Sequence, residues 1–337
     1  MNPLTVGLVG AGKLGQLHAR HWASLPDVRL VAVADPLVDN ARALAANVPA
    51  ASPPPAFADL PALLARARPD IVDICTPTPT HRPLIEQAVM SQCAVFVEKP
   101  LARTLADCDA LVDLVRQTGT FLMVGHVVRW FPAFAHAKVL VDSGGVGTPA
   151  AIRTAREAAF PRQGGSPQSW YEDVQQSGGV ILDVLLHDFD WLRWCFGPVA
   201  RVYARGLTFQ PQHHGLRDYA LVTLRFARRA VAHVTGSWAH PGPVRTTFEI
   251  CGDGGLLEWD SDRTASLSLL RPDARVQESP LLPHDDPYLS ELRAFVDALR
   301  AGQPSPVTVE DGREAVRIAL AALGSLQTGQ AVALPGL

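Results

Sequence analysis

A glycine-rich turn directly after the first apolar segment constrains the fold of this chain more than any other feature. The β-forming run Leu4–Val9 leads into the pattern G-x-G-x-x-G at residues 10–15, and a segment of helical period follows. A second apolar strand, 28–34, then ends at Asp35, which lies 20 residues after Gly15. This order of strand, glycine turn, helix, strand and acidic residue predicts a Rossmann domain that binds a dinucleotide.

Each position of the turn has a physical role in binding a dinucleotide. Gly10 permits the tight turn, Gly12 lets a pyrophosphate approach the backbone, and Gly15 lets the helix pack close to the strand. At the start of the helix, Lys13 and Leu14 offer backbone N–H groups and the positive end of the helix dipole to the phosphates.

The carboxylate of Asp35 indicates which dinucleotide is bound. It is expected to accept hydrogen bonds from the adenosine ribose hydroxyls and to repel a 2′-phosphate. No arginine stands at 36–38, although Arg42 lies a turn or more into the next predicted helix. We therefore expect NAD in preference to NADP.

Polar residues follow two further buried strands of the predicted parallel sheet. The strand 71–75 ends in T-P-T-P-T-H, residues 76–81, and the strand 94–97 ends in E-K-P, residues 98–100. Ligands of an open parallel sheet bind at this carboxyl edge, where the ammonium of Lys99 could hydrogen-bond a substrate hydroxyl. The alternatives are an ordinary rigid loop for the first segment and a solvated ion pair for the second.

The stretch S-G-G-V-I-L-D-V-L-L-H-D-F-D, residues 177–190, carries the candidate acid–base group of the second half. Asp183 and His187 stand four residues apart, and on a helix this spacing places both side chains on one face. An imidazole backed by a carboxylate is suited to general base catalysis. The alternative is a hydrogen-bonded histidine in a core helix, and Asp190 is a rival carboxylate partner for His187.

The alternation of strands and helices predicts an α/β protein of two domains. Residues 1–125 form the Rossmann domain, and 126–337 form a substrate-binding and oligomerisation domain whose C-terminal helices can pack back on the first domain. Strands with short connections fill 199–270, which predicts an open, mainly antiparallel sheet. An open sheet needs a covered face, so we expect a homo-oligomer, a dimer or a tetramer, formed through this sheet.

Composition argues against several classes of partner and location. The formal net charge is −3 without a basic stripe, which argues against nucleic acid. No apolar run is long enough to span a bilayer, and no signal peptide is recognisable. Five widely spaced cysteines without a C-x-x-C pair are typical of reduced thiols in a cytoplasmic protein, and we expect no metal site.

Taken together, the motifs G-A-G-K-L-G, C-T-P-T-P-T-H, E-K-P and the stretch 177–190 resemble the glucose–fructose oxidoreductase / inositol dehydrogenase / MocA family. The resemblance covers nearly the whole chain. It implies a Rossmann domain, a C-terminal α/β domain on an open sheet, and NAD(P)-dependent oxidation or reduction of sugars, cyclitols or related polyols.

The resemblance also implies roles for individual residues. Lys99, Asp183 and His187 correspond to the catalytic residues of the family. The loop that follows the third strand resembles the cofactor-contacting loop of the family, and Glu98 belongs with the cofactor site beside it; the loop residues expected near the nicotinamide half are Thr76, Pro77 and His81. The segment G-H-V-V-R-W-F-P resembles the start of the family's second domain, which suggests that Arg129 lines the substrate site; aromatic faces suited to a ring substrate are offered by Trp170 and Tyr171.

The sequence therefore predicts an NAD(P)-dependent dehydrogenase that transfers hydride between a nicotinamide cofactor and a hydroxyl-bearing carbon of a sugar, an inositol-like cyclitol or a related polyol. Two alternatives stay open. One is an NADP-dependent reductase of an aldehyde, imine or dihydrodiol, and the other is a dinucleotide-binding regulator without catalysis.

Overall fold

A computed structural model describes residues 2–49, 52–160, 173–209, 217–263, 267–271, 275–278 and 286–335. The chain divides into two compact units. The first contains Met1–Val127 and Asp286–Arg313, and the second contains Val128–Asp285 and Glu314–Leu337.

Strands and helices alternate along the first unit. Its strands are β1 (Leu4–Val9), β2 (Val28–Ala34), β3 (Ala56–Phe57), β4 (Ile71–Ile74), β5 (Ala94–Glu98) and β6 (Leu122–Gly125). Its first five helices are α1 (Lys13–Ser24), α2 (Val38–Ala46), α3 (Leu60–Ala67), α4 (His81–Met90) and α5 (Leu105–Thr118).

The six described strands of the first unit form one parallel sheet in the order β3-β2-β1-β4-β5-β6. This order is that of a dinucleotide-binding Rossmann fold, so the predicted fold class is confirmed. Strand β4 is buried along its whole length, as expected for a parallel sheet covered on both faces. Local capping agrees with the pattern, because the side chain of Asp59 accepts from the N–H of Ala62 and starts α3 at a proline turn.

The second unit combines helices with a larger sheet. Its helical elements are α6 (Pro132–Asp142), the single turn α7 (Val174–Ser177), a π-helical turn at Ile181–Leu185 and α8 (Leu186–Phe196). Its first four strands are β7 (Pro149–Glu157), β8 (Val199–Leu207), β9 (Tyr219–Phe226) and β10 (Val231–Ser237). Four more follow, β11 (Arg245–Gly252), β12 (Gly255–Asp260), β13 (Leu267–Leu270) and β14 (Arg275–Glu278).

Nine strands of the described chain form the sheet of the second unit, in the order β14-β13-β12-β11-β7-β10-β9-β8-β15, where β15 is Val332–Ala333. Every neighbouring pair is antiparallel except β7 and β10. The predicted mainly antiparallel sheet is confirmed. The short strands β3, β14 and β15 were not predicted, because two to four residues carry little periodicity of their own.

One face of this sheet is buried and the other is open. Along β9, residues at alternate positions are fully buried, whereas Leu221 between them is 39% exposed. The buried face packs on α6 and α8 through aromatic contacts, such as Phe134 with Trp191 and Phe248, and Phe196 with Phe226. The sheet therefore has a single covered face within this unit.

The C-terminal helices α9 (Pro287–Ala301) and α10 (Val309–Thr328) belong to different parts of the chain division. Helix α9 lies in the first unit, where Phe295 makes edge-to-face contacts with Trp22, Phe96 and Phe121. Helix α10 begins in the first unit and continues in the second. The boundary between the two compact units therefore lies after Val127, and residues 286–313 belong to the unit of the Rossmann sheet. The division predicted from the sequence instead places 126–337 in one domain.

None of the helices in the described residues is long and apolar enough to cross a membrane.

Candidate active site

The glycine turn of the first unit has the backbone geometry of a phosphate-binding site. Gly10 has a φ of +100°, and a Cβ there would lie 2.5 Å from the carbonyl oxygen of Cys75. A Cβ at Gly15 would overlap the carbonyl oxygen of Gly10, so only glycine lets α1 start this close to β1. Around the Cβ position of Gly12 no atom lies within 4 Å, which leaves that side of the turn open.

The start of α1 offers free N–H groups to this open side. Gly12 is the N-cap residue and no side chain caps the helix. Lys13 is exposed and Leu14 is half-buried beside it. Backbone donors without a side-chain cap, next to a turn that admits close approach, fit a pyrophosphate.

Asp35 is held in place at the end of β2. Its Oδ2 accepts from the N–H of Ala11 at 2.9 Å, and its Oδ1 accepts from the N–H of Leu37 at 2.9 Å. The side chain is half-buried, so each oxygen has further lone pairs for ribose hydroxyls. The residues of this turn therefore fit a dinucleotide.

The loop after β4 differs from the prediction at His81. Thr76 is half-buried and Pro77 is exposed, as expected for residues that line a cofactor. The ring of His81 is 1% exposed, and its two nitrogens lie 2.8 Å from the carbonyl oxygens of Thr76 and Pro100. Burial lowers the pKa of His81, and the two carbonyl groups and Glu98 oppose this decrease. This imidazole therefore joins two loops, and it is buried where a cofactor contact was expected.

Glu98 and Lys99 end β5 in different environments. Glu98 is 5% exposed, which excludes an ion pair in open solvent, whereas Lys99 is half-buried. The N–H of Lys99 donates to Glu98 Oε2 at 3.1 Å, and the Lys99–Pro100 peptide is cis. The buried carboxylate thus fixes the backbone from which the lysine side chain extends.

In the second unit, Asp183 and His187 occupy a π-helical turn and the first turn of α8, where the sequence predicts a regular α-helix. Between Ser177 and Leu192 the structure buries every residue except Asp183, Val184 and His187, which are half-buried. The two candidate side chains are therefore accessible in an otherwise buried segment, together with Val184.

Three glycines explain the local geometry of this segment. Gly178 and Gly179 both have positive φ, of 70° and 66°, so the chain reverses just before the π-helical turn. On the neighbouring strand β10, a Cβ at Gly236 would lie 2.7 Å from the side chain of Leu185, so glycine admits the widened turn. Single π-helical turns of this kind are frequent at functional sites.

The structure corrects the predicted environment of Arg129. Its side chain is buried and makes a bidentate ion pair with Asp190, with Nε 2.8 Å from Oδ2 and Nη2 2.6 Å from Oδ1. The guanidinium also lies 5.2 Å from the ring centroid of Trp194. Arg129 thus engages both oxygens of Asp190, which favours Asp183 as the carboxylate that orients His187.

The aromatic candidates Trp170 and Tyr171 lie outside the described residues.

Sequence reasoning missed a buried polar cluster beneath the carboxyl ends of β4 and β5. It contains His18, Asp73, Cys75 and Glu98, and His18 and Asp73 are fully buried. A polar residue at a buried position of a parallel strand is the signal that could have indicated it, because such residues need partners. Asp73 in the run I-V-D-I is such a residue.

Family models match both halves of the chain. Residues 4–126 match the model described as "Oxidoreductase family, NAD-binding Rossmann fold", and residues 134–258 match "GFO/IDH/MocA C-terminal domain".

Curated relatives and solved structures agree with these models. Myo-inositol 2-dehydrogenase of Thermotoga maritima is 29% identical over 340 residues, which cover 98% of this chain and 98% of that protein. D-apiose dehydrogenase of Paraburkholderia graminis is 32% identical over 259 residues, covering 76% of this chain and 67% of that protein. The crystal structure of a myo-inositol dehydrogenase from Corynebacterium glutamicum superposes with a TM-score of 0.83 at 27% identity and covers 99% of this chain and 100% of that chain.

The Arg129–Asp190 pair generates a stability prediction. Replacing Arg129 with Met leaves a buried carboxylate without its cation, so the free energy of unfolding should fall by about 3–5 kcal/mol. The matched control is Lys138→Met, which removes the other cation on the Trp194 ring and a partly exposed pair with Asp142. The control should cost about 0–1 kcal/mol, measured by urea unfolding of both variants. Unchanged stability of Arg129→Met together with a raised KM would instead assign Arg129 to substrate binding.

Proposed function

Since the chain belongs to the GFO/IDH/MocA family of NAD-binding oxidoreductases, we propose that it is a dehydrogenase that oxidises a CH–OH group of a cyclitol, sugar or related polyol with NAD. The observation that carries this proposal is the accessibility of Asp183 and His187 in an otherwise buried segment, in a chain with an open dinucleotide turn. The names of the relatives, which include inositol and apiose dehydrogenases, support a polyol as the substrate class.

The cofactor would be held by the glycine turn and by Asp35. The pyrophosphate would bind at the open side of Gly12 and the uncapped start of α1. The Asp35 carboxylate would accept hydrogen bonds from the ribose hydroxyls. When bound, the nicotinamide supplies the acceptor for the hydride. All other steps belong to side chains of the protein.

In the proposed mechanism His187 removes the proton from the substrate hydroxyl. Asp183 orients the imidazole and stabilises its protonated form, as a carboxylate does for a general base. The ammonium of Lys99 donates a hydrogen bond to the reacting oxygen and stabilises the negative charge that develops there. In the reverse direction the protonated His187 acts as the general acid.

The two alternatives predict different behaviour. A regulator without catalysis has no need to combine Lys99, Asp183 and His187 with an intact dinucleotide turn. An NADP-dependent reductase of an aldehyde, imine or dihydrodiol would need a cation for the 2′-phosphate. The nearest candidate by sequence, Arg42, pairs with Asp39 at 2.8 Å and is exposed. We therefore favour the NAD-dependent dehydrogenase.

Catalysis is tested by assaying purified protein against inositols, hexoses and sugar acids at the absorbance of reduced nicotinamide. His187→Ala should lower kcat by about 10²- to 10⁴-fold, because a positioned general base contributes this much. The control is His240→Ala, a half-buried histidine of the same unit outside the proposed site, which should keep full turnover. Near-normal turnover of the His187 variant would contradict the assignment, and no turnover of any polyol with either cofactor would favour the regulator.

Cofactor preference follows from the charge of Asp35. The wild-type protein should use NAD with a kcat/KM at least about tenfold above that for NADP, because a carboxylate next to the ribose repels the 2′-phosphate. Asp35→Ser should shift this ratio toward NADP. Asp113→Ser, which removes an exposed charge on α5, is the control and should leave the ratio unchanged. Equal use of both cofactors by the wild type would count against the role of Asp35.

We further propose that the open face of the nine-stranded sheet is covered by a second copy of the chain. Leu221, the third residue of β9, is 39% exposed, and the sheet has no other cover within its unit among the described residues. Light scattering after gel filtration should give a multiple of 36.2 kDa, and Leu221→Glu should reduce it. Met90→Glu, at a 76% exposed position of the first unit, is the control. A wild-type mass of one chain would overturn the proposal.

The cytoplasmic location expected from the sequence stays a prediction.

A further inference from the structure

Two buried histidines flank the short segment that carries Lys99. His18 on α1 is fully buried below the ends of β4 and β5. Its Nδ1 lies 3.0 Å from Asp73 Oδ2 and 3.3 Å from Cys75 Sγ, and its Nε2 lies 3.3 Å from Glu98 Oε1. One imidazole therefore contacts polar groups at the ends of two adjacent strands.

Glu98 connects this imidazole to the lysine segment. Its Oε2 accepts from the N–H of Lys99, while its Oε1 faces His18. Gly125 on β6 leaves room for the carboxylate, since a Cβ at that position would lie 3.0 Å from Oε1. The carboxylate of Glu98 therefore lies between the Lys99 backbone and the His18 ring.

Charge explains why the histidine is needed there. Burial by itself lowers the pKa of His18, but its neighbours, among them the Asp73 carboxyl group, raise it well above the ordinary value. Burial also raises the pKa of the Cys75 thiol, so the thiol is neutral near neutral pH and the Asp73 carboxylate favours the imidazolium. The imidazole lies between two buried carboxyl groups, Asp73 and Glu98, and its raised pKa favours a positive charge there.

His81 fixes the same segment from the other side. Its ring nitrogens lie 2.8 Å from the carbonyl oxygens of Thr76 and Pro100, so the ring fills the space between the residue after Lys99 and the loop after β4. A neutral imidazole donates its single N–H to one of these two acceptors. Thus a buried imidazole lies beside the residue on each side of Lys99. His18 approaches Glu98 at ion-pair distance without a hydrogen bond between the facing atoms, whereas His81 lies at hydrogen-bond distance from Pro100.

We propose that His18 and His81 are positioning residues for Lys99, which hold Glu98 and Pro100 against the end of β4 and the loop after it and thereby set the direction of the lysine. The inference rests on the proposed function for the role of Lys99, but the arrangement itself does not depend on a substrate. Neither histidine is required to touch the cofactor or the reacting atoms.

A metal site is the rival interpretation of the His18 cluster. Ligand atoms of His18, Asp73 and Cys75 all lie within 4.8 Å of one another. However, Asp73 Oδ2 already accepts from Trp22 Nε1 at 2.7 Å and contacts His18 Nδ1 directly. A network of hydrogen bonds and charges therefore accounts for the contacts, and elemental analysis distinguishes the two.

The test compares His18→Gln and His81→Gln with Thr5→Val. The control removes a 2.6 Å hydrogen bond from Thr5 Oγ1 to Asp70, which joins β1 to the residue before β4 at the opposite edge of the same sheet. Each histidine variant should lower kcat by about 10- to 100-fold, because small errors of position have effects of this size. The Kd for NAD should change less than about threefold, because the proposed positioning of Lys99 affects the chemical step and not the binding of the cofactor. Thr5→Val should retain kcat.

A double variant separates positioning from general loss of structure. If His18 acts through Lys99, then His18→Gln should lower kcat no further in a Lys99→Ala background. An additional decrease as large as in the wild type would overturn the proposal. His18→Gln leaves the buried carboxyl groups of Asp73 and Glu98 without the imidazole. A second variant therefore combines His18→Gln with Glu98→Gln. It should unfold at a higher temperature than His18→Gln alone and should keep the lowered kcat.

Hydrogen exchange provides a measurement that needs no substrate. Amides of residues 97–102 should exchange faster in both histidine variants and at the wild-type rate in Thr5→Val. Unchanged exchange in the histidine variants would overturn the positioning role even if the enzyme is a polyol dehydrogenase. If these amides exchange faster in the histidine variants but the wild-type protein oxidises no polyol, the positioning role of His18 and His81 is supported and the proposed function is rejected. One zinc per chain in the wild type, lost in His18→Gln, would identify a metal site and overturn the proposal.

Discussion

The contact between Gly15 and the carbonyl oxygen of Gly10 is the constraint from which the candidate cofactor site develops. It brings α1 so close to β1 that no side chain fits between them, and it directs the uncapped start of the helix to the carboxyl edge of the sheet. His18 lies one turn further along the same helix, and there it reaches Asp73. A single close approach of backbone thus positions both the candidate phosphate-binding donors and the buried His18 ring beside Asp73.

The second unit solves a comparable problem with a different backbone device. Its candidate base must be accessible while its helix is buried among aromatic side chains. Two glycines of positive φ reverse the chain before Ile181–Leu185, and Gly236 on β10 leaves room for the widened π-helical turn. Asp183 and His187 are then half-buried while the remainder of the segment packs in the core. In both units, glycine sets the position of a helix, and the helix sets the position of the candidate residues.

The fold was largely predictable because its signals are local. The bounds of β1 and β2 agree with the predicted strands to the residue, since apolar runs act over a few positions. The partners of His81 and Arg129 were not predictable in this way. Their contacts come from residues 19 and 61 positions away in the chain, and periodicity contains no information about such pairs. The π-helical turn was missed because it depends on space left by a glycine of another strand.

Buried ionic groups lie near the candidate residues of both units. Their arrangement fixes the orientation of the helices and contributes little to the free energy of unfolding. Arg129–Asp190 and Arg156–Asp188 fix α8 to its neighbours at the two acidic residues that flank Phe189. The remaining polar atoms Asp188 Oδ1 and Arg156 Nη2 are also buried, and neither has a hydrogen-bond partner in the described part of the chain. Apolar side chains would pack in the same space at lower desolvation cost. Charged pairs instead restrict a helix to one rotation, because a slip of one residue would leave two charges buried and unpaired. For a segment that must present Asp183 and His187 in one direction, this restriction is the physical reason to keep ions in the core.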